Sequence, residues 1–248
     1  MPYAKTQIQS HIAAARRLDK IIIEVFKYLK AHRKCSEYEV QQFILARFEH
    51  YNLETDKDRT PIVAFGKNTA DIHHYPAKKS SKRLKPDSLI MIDIWARMDK
   101  EGAVFSDITW MAYNGKKVPA EIMKVFNLVL EARDSALEYA KNNLKNGKMP
   151  DGRGTDLAAR DIIARDGHAK RFLHTTGHSL GLNHPHGACK GIRTDNRRPL
   201  KTDTPYTIEP GVYLKNKFGV RSEINFYIAP DFRLKITTKR QRKLILLG

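Results

Sequence analysis

The sequence predicts an α+β fold, because helical and strand-like segments follow one another in blocks along its 248 residues. Apolar residues recur at helical intervals in the first block and alternate in steps of two in the second, and both kinds of segment then return in that order. No fixed repeat and no long Pro, Gly or Ser linker interrupts the sequence. Residues 1–248 are therefore predicted to form a single domain.

Two packed helices are predicted first. Residues 7–32 carry apolar side chains at helical spacing. Ser36 and Glu39 have the spacing of a capping box, so a second helix is predicted to begin near Glu37.

A β-hairpin is predicted next, followed by two more helices and further strands. Residues 89–96 and 103–112 are rich in β-branched and aromatic side chains and are separated by the polar connection RMDKEG. Helices are predicted at 119–143, with a proline in the first turn, and at 156–165. Strand-like segments around His174, Ile208 and Glu223 complete the chain.

The composition is that of an ordinary globular protein, with 41% hydrophobic and 29% charged residues. The first twenty residues contain no apolar run long enough for a signal peptide or a membrane span, so we expect a cytoplasmic location and no membrane partner. Cys35 and Cys189 lie far apart in sequence, and we expect both to be reduced.

The chain is strongly basic, with 45 Lys and Arg against 27 Asp and Glu and a formal charge of +18. The densest basic runs are residues 78–85 (KKSSKRLK) and 239–243 (KRQRK), and neither contains an aromatic residue that would indicate base stacking. The favoured interpretation is two solvated basic segments. A contact with nucleic acid or the ribosome is the alternative.

Two acidic residues interrupt the predicted hairpin. Asp93 shares a strand face with Met91 and Trp95, and Asp107 shares one with Phe105, by two-residue alternation. A hairpin can bring these faces together, and two neighbouring carboxylates removed from water repel each other unless a cation compensates them. The pattern therefore indicates a metal site.

The histidines and two further acids agree with this interpretation. Six of the ten histidines fall in two short segments: His73, His74, His174, His178, His184 and His186. Glu209 in TIEPGVY and Glu223 in VRSEINF are again acids within apolar, strand-like sequence. Each residue alone is weak evidence for a ligand, but together they favour a metal centre.

The motifs IVAFGKNTADIHHYP, MIDIWA, FSDIT, HTTGHSLGL, TIEPGVY and GVRSEI occur in this order. In that order they resemble the pita-bread metallopeptidase superfamily, which includes methionine aminopeptidases, aminopeptidase P and prolidases. The resemblance implies a curved antiparallel sheet covered by helices. The form HxxGHxxG and the short separation of EPGVY from RSE are more similar to aminopeptidase P and prolidase. Members of that branch often have an additional creatinase-like N-terminal domain, which we expect this chain to lack.

The resemblance also implies residue roles. Asp93 is implied as a ligand of one metal, His178 and Glu209 as ligands of the other, and Asp107 and Glu223 as bridging ligands. His74 and His174 are implied in substrate contact and catalysis, Glu209 also in proton transfer, and Arg221 in substrate binding. The position of the family's second substrate histidine is occupied by Pro185, so the resemblance leaves open whether His184 or His186 serves the pocket.

The reaction implied is hydrolysis of an N-terminal Xaa-Pro peptide bond by a hydroxide that bridges two divalent metal ions. Manganese is favoured, with cobalt, iron and zinc as alternatives. The family also suggests a homodimer. A catalytically inactive relative that binds a nucleic-acid or ribosomal partner is one alternative. Non-peptide chemistry at the same site is another, because Trp110 stands where the family usually has arginine and could reshape the pocket.

Overall fold

The computed structural model describes residues 2–56 and 58–248. Its four α-helices are α1 (Lys5–Ala31), α2 (Glu37–His50), α3 (Ala120–Lys145) and α4 (Gly152–Arg165). The ten strands are β1 (Leu53–Glu54), β2 (Ile62–Phe65), β3 (Ser88–Met98), β4 (Ser106–Asn114), β5 (Tyr206–Ile208), β6 (Gly211–Leu214), β7 (Phe218–Arg221), β8 (Ile224–Ile228), β9 (Leu234–Ile236) and β10 (Ile245–Leu246). The predicted α+β class is confirmed.

The four helices predicted from the sequence are present, with small shifts at their ends. At the start of α2, Ser36 Oγ accepts from the Glu39 amide at 3.1 Å and the Glu39 carboxylate accepts from the Ser36 amide at 2.6 Å, which is the expected capping box. Helix α4 begins at Gly152 rather than residue 156, because the Asp151 carboxylate caps it by accepting from Gly154 N at 2.8 Å.

The largest sheet is built on the antiparallel pair of β3 and β4, in which Asp93 lies opposite Thr109 and Trp95 opposite Asp107. Strands β1 and β2 pair antiparallel with the other edge of β3, and β10 pairs parallel with β4. A three-stranded sheet has the order β5-β8-β9, and β6 and β7 form a separate antiparallel pair.

Two-residue alternation along β3 and β4 divides the hydrophobic core. Ile92, Ile94 and Ile108 pack with α1 and α2 on one side of the sheet. Met91 and Met111 pack with α3, α4 and the later strands on the opposite side. Asp93 and Asp107 share the odd-numbered positions of this second side, so the candidate site lies on the face away from α1 and α2.

The strand predicted around His174 is absent; single bridges occur instead, joining Gly177 to Ile192, Ser179 to Tyr206 and Leu180 to His186. This segment pairs with a different partner at each step, so no continuous ladder forms. Glu223 lies between β7 and β8 rather than inside a strand. No helix among residues 2–56 and 58–248 combines the length and apolarity needed to cross a membrane.

Candidate metal centre and active site

Asp93 and Asp107 occupy diagonal positions on one face of the β3 and β4 pair, as the alternation predicts. Both are buried, with 7% and 6% of their surface exposed. Asn225 of β8 fixes the backbone of Asp107: its Oδ1 accepts from Asp107 N at 2.9 Å, and its Nδ2 donates to Asp107 O at 2.7 Å. Because Asn225 ties β4 to β8, it also brings Glu223, two residues earlier, beside Asp107.

Glu223 is oriented by β4. Its backbone amide donates to Thr109 O at 3.3 Å, and its Oε2 accepts from the Thr109 hydroxyl at 2.9 Å. The same hydroxyl oxygen accepts from Arg221 Nε at 3.1 Å. Thr109 therefore links the carboxylate of Glu223 to the guanidinium of Arg221.

The HTTGH segment and the residues after β5 place His178 and Glu209 on the wall of the site opposite Asp93. Thr207 N donates to His178 O at 2.9 Å, and Glu209 N donates to Thr176 O at 2.7 Å. Only glycine fits at position 177, since a Cβ there would lie 2.1 Å from Thr207 O. As a result, His178 Nε2 lies 3.3 Å from Glu209 Oε1 and 3.8 Å from Asp107 Oδ2.

The chemistry of this donor set fits divalent metal ions. Asp93 Oδ1, Asp107 Oδ1 and Glu223 Oε1 are buried oxygens without a hydrogen-bond partner among the described residues, which is a costly arrangement unless cations satisfy them. One ligand atom each from Asp107, His178 and Glu223 lie within 4.8 Å of one another. His178 Nδ1 donates to Ser179 O at 3.0 Å, which leaves the Nε2 lone pair free to bind a metal.

The electrostatics of the protein without metal point in the same direction. Burial raises the pKa of Asp107 and of Glu223 well above their ordinary values, and the neighbouring carboxylates raise both further. Burial likewise raises the pKa of Glu209 to about 7 and lowers the pKa of His178 to about 4. The three carboxyl groups therefore lack compensating positive charge in the metal-free protein. The His178 imidazole stays neutral, as a metal ligand must be.

Arg221 supplies the one buried cation of the site among the described residues. Its Nη2 pairs with Asp93 Oδ2 at 2.5 Å, and the carboxylates of Asp93 and Glu209 raise the guanidinium's pKa against the opposing effect of burial. Although Arg221 borders the cavity, its nitrogens bond to Asp93 and Thr109. Its contacts in the structure are therefore those of a residue that positions the site.

A cavity opens over the acidic cluster, and its wall includes Arg59, Ile62, Ile72, His73, Tyr75, Trp95, His174, Pro185 and His186. His73 contributes to this wall, whereas the side chain of the predicted His74 faces away. His74 Nε2 lies 3.1 Å from Glu37 Oε2 and 3.3 Å from Asn68 Nδ2. The buried Glu37 carboxylate holds His74 against the start of α2.

The structure separates the two histidines that the sequence left open. The ring of His186 stacks on that of His178, with centroids 3.9 Å apart and an angle of 10° between the planes. His184 instead turns outward: its side chain is 63% exposed and its Nδ1 lies 3.3 Å from Asp56 Oδ2. Of the two, His186 is the one on the cavity wall.

His174 also lines the cavity, and it is paired with Tyr213. Its Nδ1 donates to Thr175 O at 2.9 Å, and its Nε2 lies 2.7 Å from the Tyr213 hydroxyl. Burial lowers the pKa of His174 to about 3, so the ring is neutral and Nε2 accepts from Tyr213. In this tautomer Nε2 is not a hydrogen-bond donor.

Trp110 does not reach the cavity. It lies on the even-numbered face of β4 and packs in the α1 and α2 cluster, with its ring centroid 6.4 Å from that of Phe26. The expectation that it reshapes the pocket is therefore wrong, because two-residue alternation directs residues 107 and 109, but not 110, toward the site.

The sequence analysis assigned no role to Thr109, Tyr213 or Asn225, which hydrogen-bond to residues of the site. Thr109 lies two residues after Asp107 and Asn225 two residues after Glu223, so period-two alternation was a signal for both. Tyr213 closes the EPGVY motif. No local pattern predicts its contact with His174, which is 39 residues away in sequence.

Comparison with known proteins gives a family match and several similar chains. The model of metallopeptidase family M24 matches residues 9–230. An uncharacterized peptidase from Staphylococcus aureus strain MRSA252 is 30% identical over 223 residues, covering 88% of this chain and 57% of that protein. An uncharacterized peptidase from Schizosaccharomyces pombe is 28% identical over 208 residues, covering 84% of this chain and 43% of that protein.

Solved structures show the same architecture. The X-Pro aminopeptidase from Thermotoga maritima MSB8 has a TM-score of 0.86 and 26% identity, over 99% of this chain and 64% of that one. The prolidase from Thermococcus sibiricus has a TM-score of 0.85 and 29% identity, over 99% of this chain and 62% of that one. The predicted pita-bread fold is thus confirmed, and the chain spans less than two thirds of the length of these relatives.

Proposed function

The chain belongs to metallopeptidase family M24, and from that membership we propose that it uses two divalent metal ions to hydrolyse N-terminal Xaa-Pro or similar peptide bonds. The observation that carries the proposal is the cluster of four carboxylates and one imidazole, in which the buried Asp93, Asp107 and Glu223 each have one carboxylate oxygen without a partner among the described residues. An acidic cluster of this kind has no stabilising role of its own, since each ionised carboxylate costs free energy to bury.

We propose Asp93, Asp107, His178, Glu209 and Glu223 as the metal ligands, with Asp107 and Glu223 between the two ions. The positions of the ligands support this assignment. Asp93 pairs with Arg221 at one wall of the site, and Glu209 lies beside His178 at the other. When bound, two divalent cations would neutralise the carboxylates and activate water for attack on a peptide carbonyl. Manganese is the proposed metal, and oxygen-rich ligands with one imidazole also suit cobalt, iron and zinc.

Glu209 is the proposed general base and acid. Its Oε1 accepts from the Thr207 hydroxyl at 3.1 Å and lies beside His178, which holds the carboxylate at the cavity floor. In this role it accepts a proton from the attacking water and returns it to the departing nitrogen. The nitrogen of an Xaa-Pro bond must be protonated before it leaves, so the position of Glu209 governs the second half of the reaction.

The cavity wall supports a proline substrate. Ile62, Ile72 and Trp95 provide apolar surface next to the carboxylates, suited to a pyrrolidine ring. His186 and His73 add polar edges that can contact the peptide. We propose that His174 contributes to substrate contact together with Tyr213, and that in its neutral form His174 Nε2 accepts a hydrogen bond rather than donating one.

The similar solved structures include an X-Pro aminopeptidase and a prolidase, and this likeness supports the same substrate class. We further propose that residues 1–248 act as one catalytic unit, because β10 near the end of the described chain pairs with β4, the strand that carries Asp107. A cytoplasmic location and a homodimer remain proposals from sequence and resemblance.

A substrate panel tests the function. Metal-stripped protein is resupplied with manganese and incubated with an Xaa-Pro dipeptide, a longer Xaa-Pro peptide and a Met-initiated peptide without proline, beside Asp107→Asn as the control. We expect manganese-dependent release of the first residue from a proline peptide, abolished in Asp107→Asn. Cleavage of the Met-initiated peptide alone would contradict the Xaa-Pro assignment, and no cleavage by manganese-loaded protein would contradict the peptidase assignment.

A further inference from the structure

The outer face of α1 is almost entirely cationic. Between residues 13 and 30, the exposed side chains are Arg16, Lys20, Ile23, Lys27 and Lys30. These positions form one stripe along the helix, and the four cations extend over about 21 Å at 1.5 Å per residue. None of the four has a carboxylate within 4.0 Å among the described residues.

Both basic runs singled out in the sequence pack beside this helix. Lys239 N donates to both carboxylate oxygens of Asp19 at 3.0 Å, which places the run 239–243 against the first half of α1. Leu84 N donates to Cys35 O at 2.8 Å and Arg83 donates to Lys34 O at 3.0 Å, so the run 78–85 lies at the helix's far end. Segments more than 150 residues apart in sequence thus extend one positively charged surface.

We call this surface the basic face. Its exposed cations are Arg16, Lys20, Lys27, Lys30, Lys34, Arg83, Lys85, Lys116, Lys239, Arg242 and Lys243. Lys34, Lys85 and Lys116 border a common depression. In the described part of the chain Arg83 is the sole member with an ion-pair partner, Glu39 at 3.7 Å, while Glu24 of α1 is paired with Arg47. The local positive charge therefore stays largely uncompensated.

The basic face and the metal cavity lie on opposite sides of the β3 and β4 sheet. Helix α1 covers the side formed by Ile92 and Ile108, whereas Asp93 and Asp107 open to the other side. A ligand on α1 would therefore leave the cavity entrance free. The carboxylates of the metal centre lie on the other side of the sheet, so they do not neutralise the cations of the basic face.

We propose that the basic face binds the phosphate backbone of a nucleic-acid duplex without sequence preference. A row of unpaired cations about 21 Å long matches a linear array of phosphates, and release of their counterions drives such binding. Ile23 of α1 and Leu246 of β10 are large exposed side chains, and both are aliphatic. The stacked rings of Tyr28 and His32 lie at the C-terminal end of α1, so no row of aromatic side chains runs along the four cations to stack single-stranded bases. Two separate aliphatic side chains also form no apolar patch for insertion into a membrane.

Fluorescence anisotropy with a labelled 20-base-pair DNA duplex, measured at several salt concentrations, tests the proposal. The test protein carries Lys20→Gln, Lys27→Gln and Lys30→Gln, because glutamine preserves helix propensity while removing charge. The matched control carries Lys148→Gln, Lys170→Gln and Lys215→Gln, three exposed lysines outside the basic face that have no ion pair among the described residues. Circular dichroism and hydrolysis of a proline peptide are recorded for all three proteins.

We expect the α1 variant to lose at least about tenfold in affinity and to lower the slope of log K against log salt by about 2 to 3, since each phosphate contact contributes roughly 0.9. The control is expected to bind within about threefold of wild type, and a duplex RNA to bind within a few-fold of the DNA. Equal weakening in both variants, no binding at low salt, or tighter binding to single strands, anionic vesicles or polyglutamate would overturn the proposal. None of these outcomes depends on peptidase activity, so the two proposals fail separately.

Discussion

Arg221 and Asp93 form a buried ion pair at the cavity wall, in which the guanidinium Nη2 lies 2.5 Å from Oδ2 of the carboxylate. Arg221 Nε also donates to the Thr109 hydroxyl, which in turn donates to Glu223. A single guanidinium thus reaches one carboxylate directly and a second through a hydroxyl. The integrity of the acidic cluster without metal therefore depends on Arg221.

Replacing Arg221 by methionine should destabilise the metal-free protein by about 3 kcal/mol, because it leaves the Asp93 carboxylate buried without its partner. Manganese should restore part of this loss, since a metal ion supplies the missing positive charge. Urea denaturation with and without manganese measures both effects. Arg233→Met, which removes an exposed pair with Asp231, is the control and should leave the denaturation midpoint almost unchanged. Equal midpoints for Arg221→Met and wild type would contradict the account.

Thr109→Val should weaken metal binding while the fold is retained. The variant is nearly isosteric, but it leaves Glu223 Oε2 and Arg221 Nε without the hydroxyl that joins them. Residues that orient metal ligands typically contribute 10- to 100-fold in affinity, so a drop of about tenfold in manganese affinity is expected by titration calorimetry. Thr6→Val on the exposed start of α1 is the matched control. Unchanged affinity in Thr109→Val would show that Glu223 needs no support from β4.

His186 and His184 should differ sharply in their effect on hydrolysis. His186 stacks on His178 and lines the cavity, whereas His184 is 63% exposed beside Asp56. His186→Ala should reduce kcat/KM for a proline peptide by about 10- to 100-fold, and His184→Ala by less than about threefold. Steady-state kinetics with a proline peptide measure kcat/KM for both variants. A larger effect at position 184 would mean that the 182–187 loop rearranges when substrate binds.

The buried His11 joins α1 to the rest of the fold, and its contribution to stability should decrease at acid pH. Its Nδ1 donates to Phe105 O at 2.7 Å and its Nε2 accepts from the Thr237 hydroxyl at 2.8 Å, while burial lowers its pKa to about 4. Because the folded pKa lies below the unfolded value of about 6.5, this stabilisation is complete above pH 6.5 and is lost as pH falls toward 4.

The stability difference between wild type and His11→Gln should therefore shrink by about 2 kcal/mol between pH 7.5 and pH 5. Urea denaturation of the metal-free proteins at both pH values gives this difference, with His50→Gln, on the exposed end of α2, as the control. A difference that stays constant with pH would show that His11 is not buried in its neutral form.

The sequence predicted the architecture well wherever local patterns carry the information. Helical spacing and the Ser36 and Glu39 capping box predicted α2, and strand alternation placed Asp93 and Asp107 on one face. The resemblance then named five ligand positions that the fold brings into one region. These features depend on short-range periodicity, which a single sequence displays directly.

Other parts of the site depend on contacts between distant segments. His74 pairs with Glu37 instead of lining the cavity. His186, and not His184, stacks on His178. No local sequence pattern predicts either contact. The segment around His174 was predicted as a strand, but Gly177, Ser179 and Leu180 each pair with a different neighbour. The basic face also depends on the fold, because hydrogen bonds to Asp19 bring the run 239–243 to α1, and hydrogen bonds to Lys34 and Cys35 bring the run 78–85 to its far end.

The number of manganese ions bound per chain tests the central claim most directly. Metal-stripped protein is saturated with manganese, freed of excess metal and analysed for metal and protein content, with Glu223→Gln measured in parallel. We predict two ions per wild-type chain and at most one in Glu223→Gln, because Glu223 is proposed to lie between both ions. One ion or none in the wild-type protein would contradict the dinuclear site.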